Sequence, residues 1–343
     1  MIRAPRALLF LVLAAAPAPA QNAYHVQVLP IPAGAPQAFP TCMGEGAAIG
    51  GYQASEAFDP TAVPLVSFLG TTRKLRSPTQ SLNFVLGCAS VKLLVGTSSN
   101  FPYAWVGGQP HLLEPVAGLL QGSANGANVM REICGTLFND LTGQQLPVRW
   151  AGPGFAGNAL SVEPGSGGSA LAINAAGAIA GSVVGAGFAF VGARWDQPGA
   201  PPALVGVLSG AMNSELRAIN SAGDTAGRSS FPDFTIRALM HAKAENALVP
   251  LGTLGGTYSE AFGIEAARRV VGASTTAGGL LHAFLWQDGA MHDLNDLIQS
   301  ASAPISVAES AVAIDDSGRI AVQVLVPTPA GDAARMALFV PIP

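Results

Sequence analysis

The chain is patterned in short segments of six or seven residues, rich in apolar and small side chains and separated by Gly-bearing or polar turns. Apolar spacing of three and four, the mark of a helix face, is not found. The clearest stretch, Leu251 to Leu297, divides into YSEAFGI, RVVGAST, HAFLWQ and MHDLNDL. Four short strands in a unit of about 40 to 50 residues make the blade of a β-propeller, whereas one coil of a parallel β-helix would be roughly half as long.

Three rulers along the sequence give one period. Trp105, Trp150, Trp195 and Trp286 are separated by 45, 45 and 91 residues, and the missing member falls at Met240-His241, where Arg237 to His241 aligns with His282 to Trp286. A turn supplies the second ruler. Ile173-Asn174-Ala175-Ala176-Gly177, followed by Gly181, recurs as Ile219-Asn220 with Gly223 and Gly227, as Ile264-Glu265 with Gly272, and as Ile314-Asp315 with Gly318. Asn or Asp at the first corner bonds its own backbone two residues on, and Gly supplies the positive φ of a hairpin reversal, so these are structural turn residues. Cys42, Cys88 and Cys134, spaced 46 and 46, are read as filling the Ile position of earlier copies. The seven positions are then 42, 88, 134, 173, 219, 264 and 314, and the 323 residues after Ala20 divide into seven repeats of about 46.

The expected fold is therefore all-β: one domain over residues 21–343, a seven-bladed propeller of four-stranded antiparallel blades. Its ends are out of phase, since YHVQVLP near the start matches a fourth strand and ARMALFVPIP at the close matches a third. One blade sewn from both ends would close the ring without a bare sheet edge. Residues 1–20 carry Arg3 and Arg6, an apolar run from Ala7 to Ala16, then Ala18-Pro19-Ala20, the pattern of a secretory signal peptide. Cleavage near Ala20 and release to the periplasm or beyond are expected. The apolar run is too short to span a bilayer, and nothing downstream approaches the roughly 20 residues a spanning helix needs.

Charged residues make up 11% of the chain, and 17 basic stand against 21 acidic. The densest basic cluster is Arg73-Lys74-Leu75-Arg76, which gives no electrostatic footprint for nucleic acid. Gly and Pro, 41 and 26 residues, fit a chain of many turns.

LGTLGGTYSEAFGIEAARRVVGASTTAGGLLHAFLWQDGAMHDLNDL resembles the HAF extracellular repeat of bacterial exported proteins, with the His-Ala-Phe triplet at His282 to Phe284. The likeness is strong over about residues 165 to 297, where the glycine turn, the G-x-L-x-G run (Gly206 to Gly210, Gly252 to Gly256) and the aromatic strand recur in order. Glu265 stands for the turn Asn, Arg268 for its Gly, and Ala189-Phe190 lacks the preceding His. The resemblance implies an exported propeller-like protein and carries over no catalytic residue.

Other motifs are weighed against plainer readings. Gly152-Pro153-Gly154-Phe155-Ala156-Gly157 satisfies G-x-G-x-x-G without a surrounding βαβ unit and reads as a loop between blades. Trp195-Asp196 reads as a strand end. His282, His292, Asp293 and Asp296 are the one local group that could ligate a metal, but their spacing fits no zinc signature, and alternation would put His292 and Leu294 on one face with Asp293 on the other. No hydrolase elbow, zinc-protease, redox or phosphate-loop motif is present, so no catalytic, cofactor or metal residue is assigned. Cys42, Cys88 and Cys134 are expected to be unbridged, because equivalent positions in neighbouring blades usually lie beyond the roughly 7 Å Cα limit. The recurring third-strand aromatics read as core between blades, and sugar stacking would need loop aromatics such as Phe101, Tyr103 or Tyr258.

The leading expectation is a non-enzymatic binding or scaffold module. It would hold an extracellular glycan or protein on loops of one ring face, notably 53–82 and 196–205. A hydrolase or lyase assembled from several blades is the alternative, favoured by convergent acidic and basic side chains around the channel. A structural surface or matrix protein is a third.

Overall fold

The computed structural model describes residues 23–34, 36–57, 59–79, 83–163, 166–185 and 189–343, so the signal-peptide reading of residues 1–20 lies outside the described residues. Local sequence makes short strands. In Asn213–Ile219 the buried Ser214, Leu216 and Ala218 alternate with half-exposed Asn213, Glu215, Arg217 and Ile219, the two-residue period of a strand packed on one face. Among the described residues there is no α-helix.

The strands pair as antiparallel meanders of four. The first unit runs Gln37–Gly44, Ala48–Ala54, Val63–Phe68 and Thr71–Lys74, and the second Asn83–Ser90, Leu93–Ser98, Phe101–Val106 and Gln109–Leu112. The third is Gly122–Ala127, Ile133–Phe138, Gln145–Ala151 and Ala156–Ala159, and the fourth Gly168–Ile173, Ile179–Val184, Phe190–Trp195 and Ala203–Gly206. A fifth (Asn213–Ile219 to Ala247–Gly252) and a sixth (Gly255–Ile264 to Ala290–Asp293) are joined into one sheet by the single parallel pair Ile236 and Tyr258. The terminal sheet places Val307–Ile314, Ile320–Thr328 and Gly331–Pro341 side by side. Tyr24–Val28 then pairs antiparallel with Gly331–Pro341 as its fourth strand, and Ile298–Ala301 lies parallel outside it.

In the first six units the first strand carries a bulge at one place, opposite a glycine of the second strand: Gly51, Gly96, Gly135, Gly181, Gly227 or Gly272; in the terminal sheet Val322 stands there. The bulge turns a first-strand carbonyl inward, and an ideal Cβ on Gly181, Gly227 or Gly272 would stand 1.8, 1.9 or 2.0 Å from it. In those units only glycine fits there. The same register corrects the cysteine ruler. Ile173 pairs with Ile179, and its counterpart in the third unit is Ala127, paired with Ile133, while Cys134 faces Gly126 from the second strand. Cys88 does hold the Ile position, paired with Leu94, but Cys42 stands one residue early, since Met43 pairs with Ile49. Equal spacing of the cysteines had mimicked the repeat.

Cores lie between units. Trp105, Trp150 and Trp195 are buried in third strands, and each indole Nε1 donates to a carbonyl of the connector entering its unit: Arg76 at 2.8 Å, Glu114 at 2.9 Å and Ser161 at 2.7 Å. His241 takes this position in the fifth unit, paired with Thr225, and is buried. Apolar clusters bridge each consecutive pair of units, including the terminal sheet and the first, where Ala321 and Met336 pack with Ala38, Ile49 and Leu65. First strands also lie against one another in succession, Val307–Ile314 against Gln37–Gly44 included.

Cys42 and Cys88 form a disulfide with Cα atoms 5.7 Å apart, against the expectation of unbridged thiols. Consecutive first strands lie side by side, and Cys42, one residue before the position equivalent to Cys88, comes within bridging range of it. Cys134 is free and buried, and burial pushes its thiol up to about 12.

Candidate functional site

The repeated turns form one face of the molecule. Asn174 accepts the Ala176 and Ala178 N–H groups through Oδ1, at 3.1 and 3.0 Å, and its Nδ2 donates 2.8 Å to the Asn220 carbonyl of the next unit. Asn220 repeats this, accepting Asp224 N–H at 2.9 Å and donating to Glu265 O at 3.1 Å. Glu265 accepts the Arg269 N–H, and Asp315 accepts those of Ser317 and Arg319. Gly177, Gly223 and Gly318 take φ of 84°, 86° and 78°, with Arg268 at 64° in the equivalent place. Asn128 belongs to the same series and was missed. It accepts Glu132 N–H and donates 2.9 Å to Asn174 O, and its 46-residue spacing to Asn174 was the available signal. All of these side chains are consumed by the scaffold.

The opposite face holds the connectors and the loops between second and third strands. There the third, fourth and fifth units surround a cavity of about 380 Å³, lined by Gln145, Ser169, Ser182, Phe190, Asn213, Glu215 and Arg228 among others. Its wall is already hydrogen-bonded: Ser169 donates to Gln145 Oε1 at 2.9 Å, Phe190 N–H to Asn213 Oδ1 at 2.8 Å, and Gly192 N–H to Ser214 Oγ at 2.8 Å. Beside it four charges interlock. Arg217 contacts Glu215 at 2.9 Å and Glu260 at 2.5 Å, and Arg228 contacts the same two carboxylates at 3.6 and 3.4 Å. The Tyr258 hydroxyl donates to Glu260 at 2.7 Å, and burial, with that carboxylate beside it, pushes the phenol well above its usual range. The cluster is charge-balanced and half-buried. Sequence reasoning did not find it, although Glu215 and Glu260 stand 45 residues apart at equivalent strand positions. Large apolar side chains stand at loop tips on this face, Leu141 97% exposed, Phe234 91% and Leu280 65%.

Other expected positions are placed elsewhere. His282 Nδ1 and Asp293 Oδ2 lie 2.5 Å apart, and Asp293 also caps the single turn Leu294–Leu297 by accepting Asn295 N–H. The chain leaves extended geometry there, so strand alternation stops at Asp293, contrary to expectation. Among the described residues no group of three or more His, Cys, Asp and Glu stands close enough to hold a metal ion. Residues 152–155 turn between two strands of the third unit rather than between units. Phe101, Tyr103 and Tyr258 lie in strands, and so do much of 53–82 (Val63–Phe68, Thr71–Lys74) and Ala203–Gly206. Apolar and β-branched residues in those stretches complete the first and fourth units where loops were expected.

No helix among the described residues is long and apolar enough to cross a membrane. The sequence matches no family model and no curated protein. Solved structures share its fold. TolB from Acinetobacter baumannii aligns at TM-score 0.50 and 11% identity over 73% of this chain, which spans only 66% of the TolB chain. YCF48 bound to D1 peptide aligns at 0.55 and 12% identity, covering 97% of this chain and 99% of that one. The WD40 repeats of RRP9 align at 0.54 and 14% identity, covering 93% and 99%. The fold is all-β and of propeller type.

Proposed function

We propose that this chain is an exported, seven-bladed propeller, closed by its N-terminal strand, that acts as a binding or scaffold module for a peptide or protein partner. Closure is supported by the core shared between the terminal sheet and the first unit, and by a depression on the turn face lined together by Asp315, Glu45, Cys88, Asn128 and Ala175. Export is supported by the Cys42–Cys88 bridge, a chemistry of oxidising compartments, and by the leader pattern. Membership among HAF-repeat proteins rests on the residues that carry the resemblance.

The observation that carries the binding reading is the pre-ordered cavity on the connector face, lined mostly by polar residues together with part-exposed Phe190, on a face where Phe234 and Leu141 stand exposed at loop tips. Concave polar sites with apolar surroundings suit a polypeptide that brings both backbone amides and side chains. The fold neighbour YCF48 was solved with a peptide, which fits this choice of ligand class over a glycan. The convergent charges that would favour a hydrolase or lyase are present, but each carboxylate of the cluster is held by guanidinium groups. They read as a brace for the cavity wall.

A thermal-shift screen of residues 21–343 against a random peptide library, cell-wall glycans and exopolysaccharides tests the assignment. A peptide at 100 times its dissociation constant adds about 2.7 kcal/mol. The expected result is a raised midpoint with a peptide pool that is lost in Phe190→Ala. A glycan shift alone would replace the peptide reading, and no shift in any pool would overturn a soluble-ligand site.

A further inference from the structure

The links between neighbouring turns are uneven around the molecule. From the third unit to the terminal sheet each turn reaches the next by a hydrogen bond: Asn128 to Asn174, Asn174 to Asn220, Asn220 to Glu265, and Ala266 N–H to Asp316. In the first two units the residues after Met43 and Cys88, at the place of Asn174, are Gly44 and Ala89, which carry no side-chain amide to extend the series. The disulfide lies at that gap, tying the first strand of the first unit to the first strand of the second. The site is shaped for it, since a Cβ on Gly50 would stand 2.5 Å from Cys88 Sγ and 2.7 Å from Cys42 Sγ. The first unit also packs on the sheet sewn from both chain ends.

The bridge is not sealed. Cys88 is part-exposed and lines the turn-face depression of about 330 Å³, while Cys134 is fully buried. We infer that Cys42–Cys88 is a redox latch: a dithiol reductant entering that depression opens the bridge in the folded protein and loosens the contact between the first and second units alone. The chemistry balances. One reductant thiolate attacks a cystine sulfur, giving a mixed disulfide and one cysteine thiol. The second reductant thiol then displaces the other cysteine, so two cysteine thiols form and the dithiol leaves as its own disulfide.

The test is hydrogen exchange on residues 21–343 with and without dithiothreitol, read by segment, with thiols counted in parallel. The unreduced, denatured chain is expected to show one thiol and the reduced native chain two. Exchange should rise in Gln37–Ala54 and Asn83–Ser98 and stay unchanged in Gly168–Ser230, with the thermal midpoint lower by about 5 to 10 °C. The variant Cys42→Ser with Cys88→Ser should reproduce the loosened pattern and ignore the reductant. If that variant does not fold, the wild-type comparison decides alone. Three thiols before reduction, unchanged exchange after it, or loosening of the whole chain would each overturn the latch.

Discussion

At Gly181 there is no room for a methyl group, because an ideal Cβ would lie 1.8 Å from the Ser169 carbonyl oxygen. Gly152 differs: its φ is 78° but no atom lies within 4 Å of an added Cβ. Gly181→Ala is therefore expected to cost about 3 kcal/mol, by forcing two strands apart. Gly152→Ala should cost only about 1 kcal/mol, from conformation. Urea denaturation of both variants measures the difference, and equal losses would contradict the close-approach argument. The period of Gly181, Gly227 and Gly272 was legible in the sequence. Its cause was not, since a bulge carbonyl becomes visible only once two strands are paired. Gly51, Gly96 and Gly135 make the same close approach without the N-x-x-G turn that precedes Gly181 and Gly227.

The turn that joins first and second strands is local in its making and non-local in its effect. Asn174 closes its own loop through Oδ1 and ties the next unit through Nδ2, and it is buried. Asn174→Ala leaves the Asn220 carbonyl and two amide groups short of partners, for an expected loss of about 2 to 3 kcal/mol. Asn174→Asp retains the acceptor and loses the donor, so it should fall between Ala and wild type in chemical denaturation. A loss in Asp as large as in Ala would mean that the intra-turn bonds carry nothing. The sequence showed the Asn as a corner residue, because the Asx turn is a contact over two to four residues. That it also donates across to a neighbouring sheet depended on how successive units pack. The cysteine ruler failed for a related reason, since spacing alone does not distinguish first strand from second.

On the turn face ion pairs tie the fourth unit to the fifth and the fifth to the sixth, and these set how stability answers to pH. Arg194, and then Lys243 of the next unit, hold the Asp196 carboxyl below its ordinary value. Burial pushes Asp224 the other way, but the Arg268 guanidinium, the Lys243 amide and Asn220 outweigh it, so that carboxyl is lowered too. A depressed carboxyl binds its proton less readily folded than unfolded, so its contribution is present above about pH 3.9 and is lost as pH falls through the lower folded value. Urea midpoints should hold from pH 7 to 5 and drop towards pH 3, and Asp224→Asn should be less stable at pH 7 with a flatter acid limb. A midpoint that rises on acidification would overturn this sign. At this scale the division of labour is plain. The strands of the clearest repeat, the period of about 46 residues, the corner residues and the out-of-phase ends could be read from the sequence, because alternation and turn chemistry act over a few neighbouring residues. The Cys42–Cys88 bridge, the Glu215–Arg217–Arg228–Glu260 cluster and the cavity beside it were decided by tertiary structure. Each joins residues of different units, and whether such residues meet depends on how far apart neighbouring strands stand at that point, which no one-dimensional spacing records.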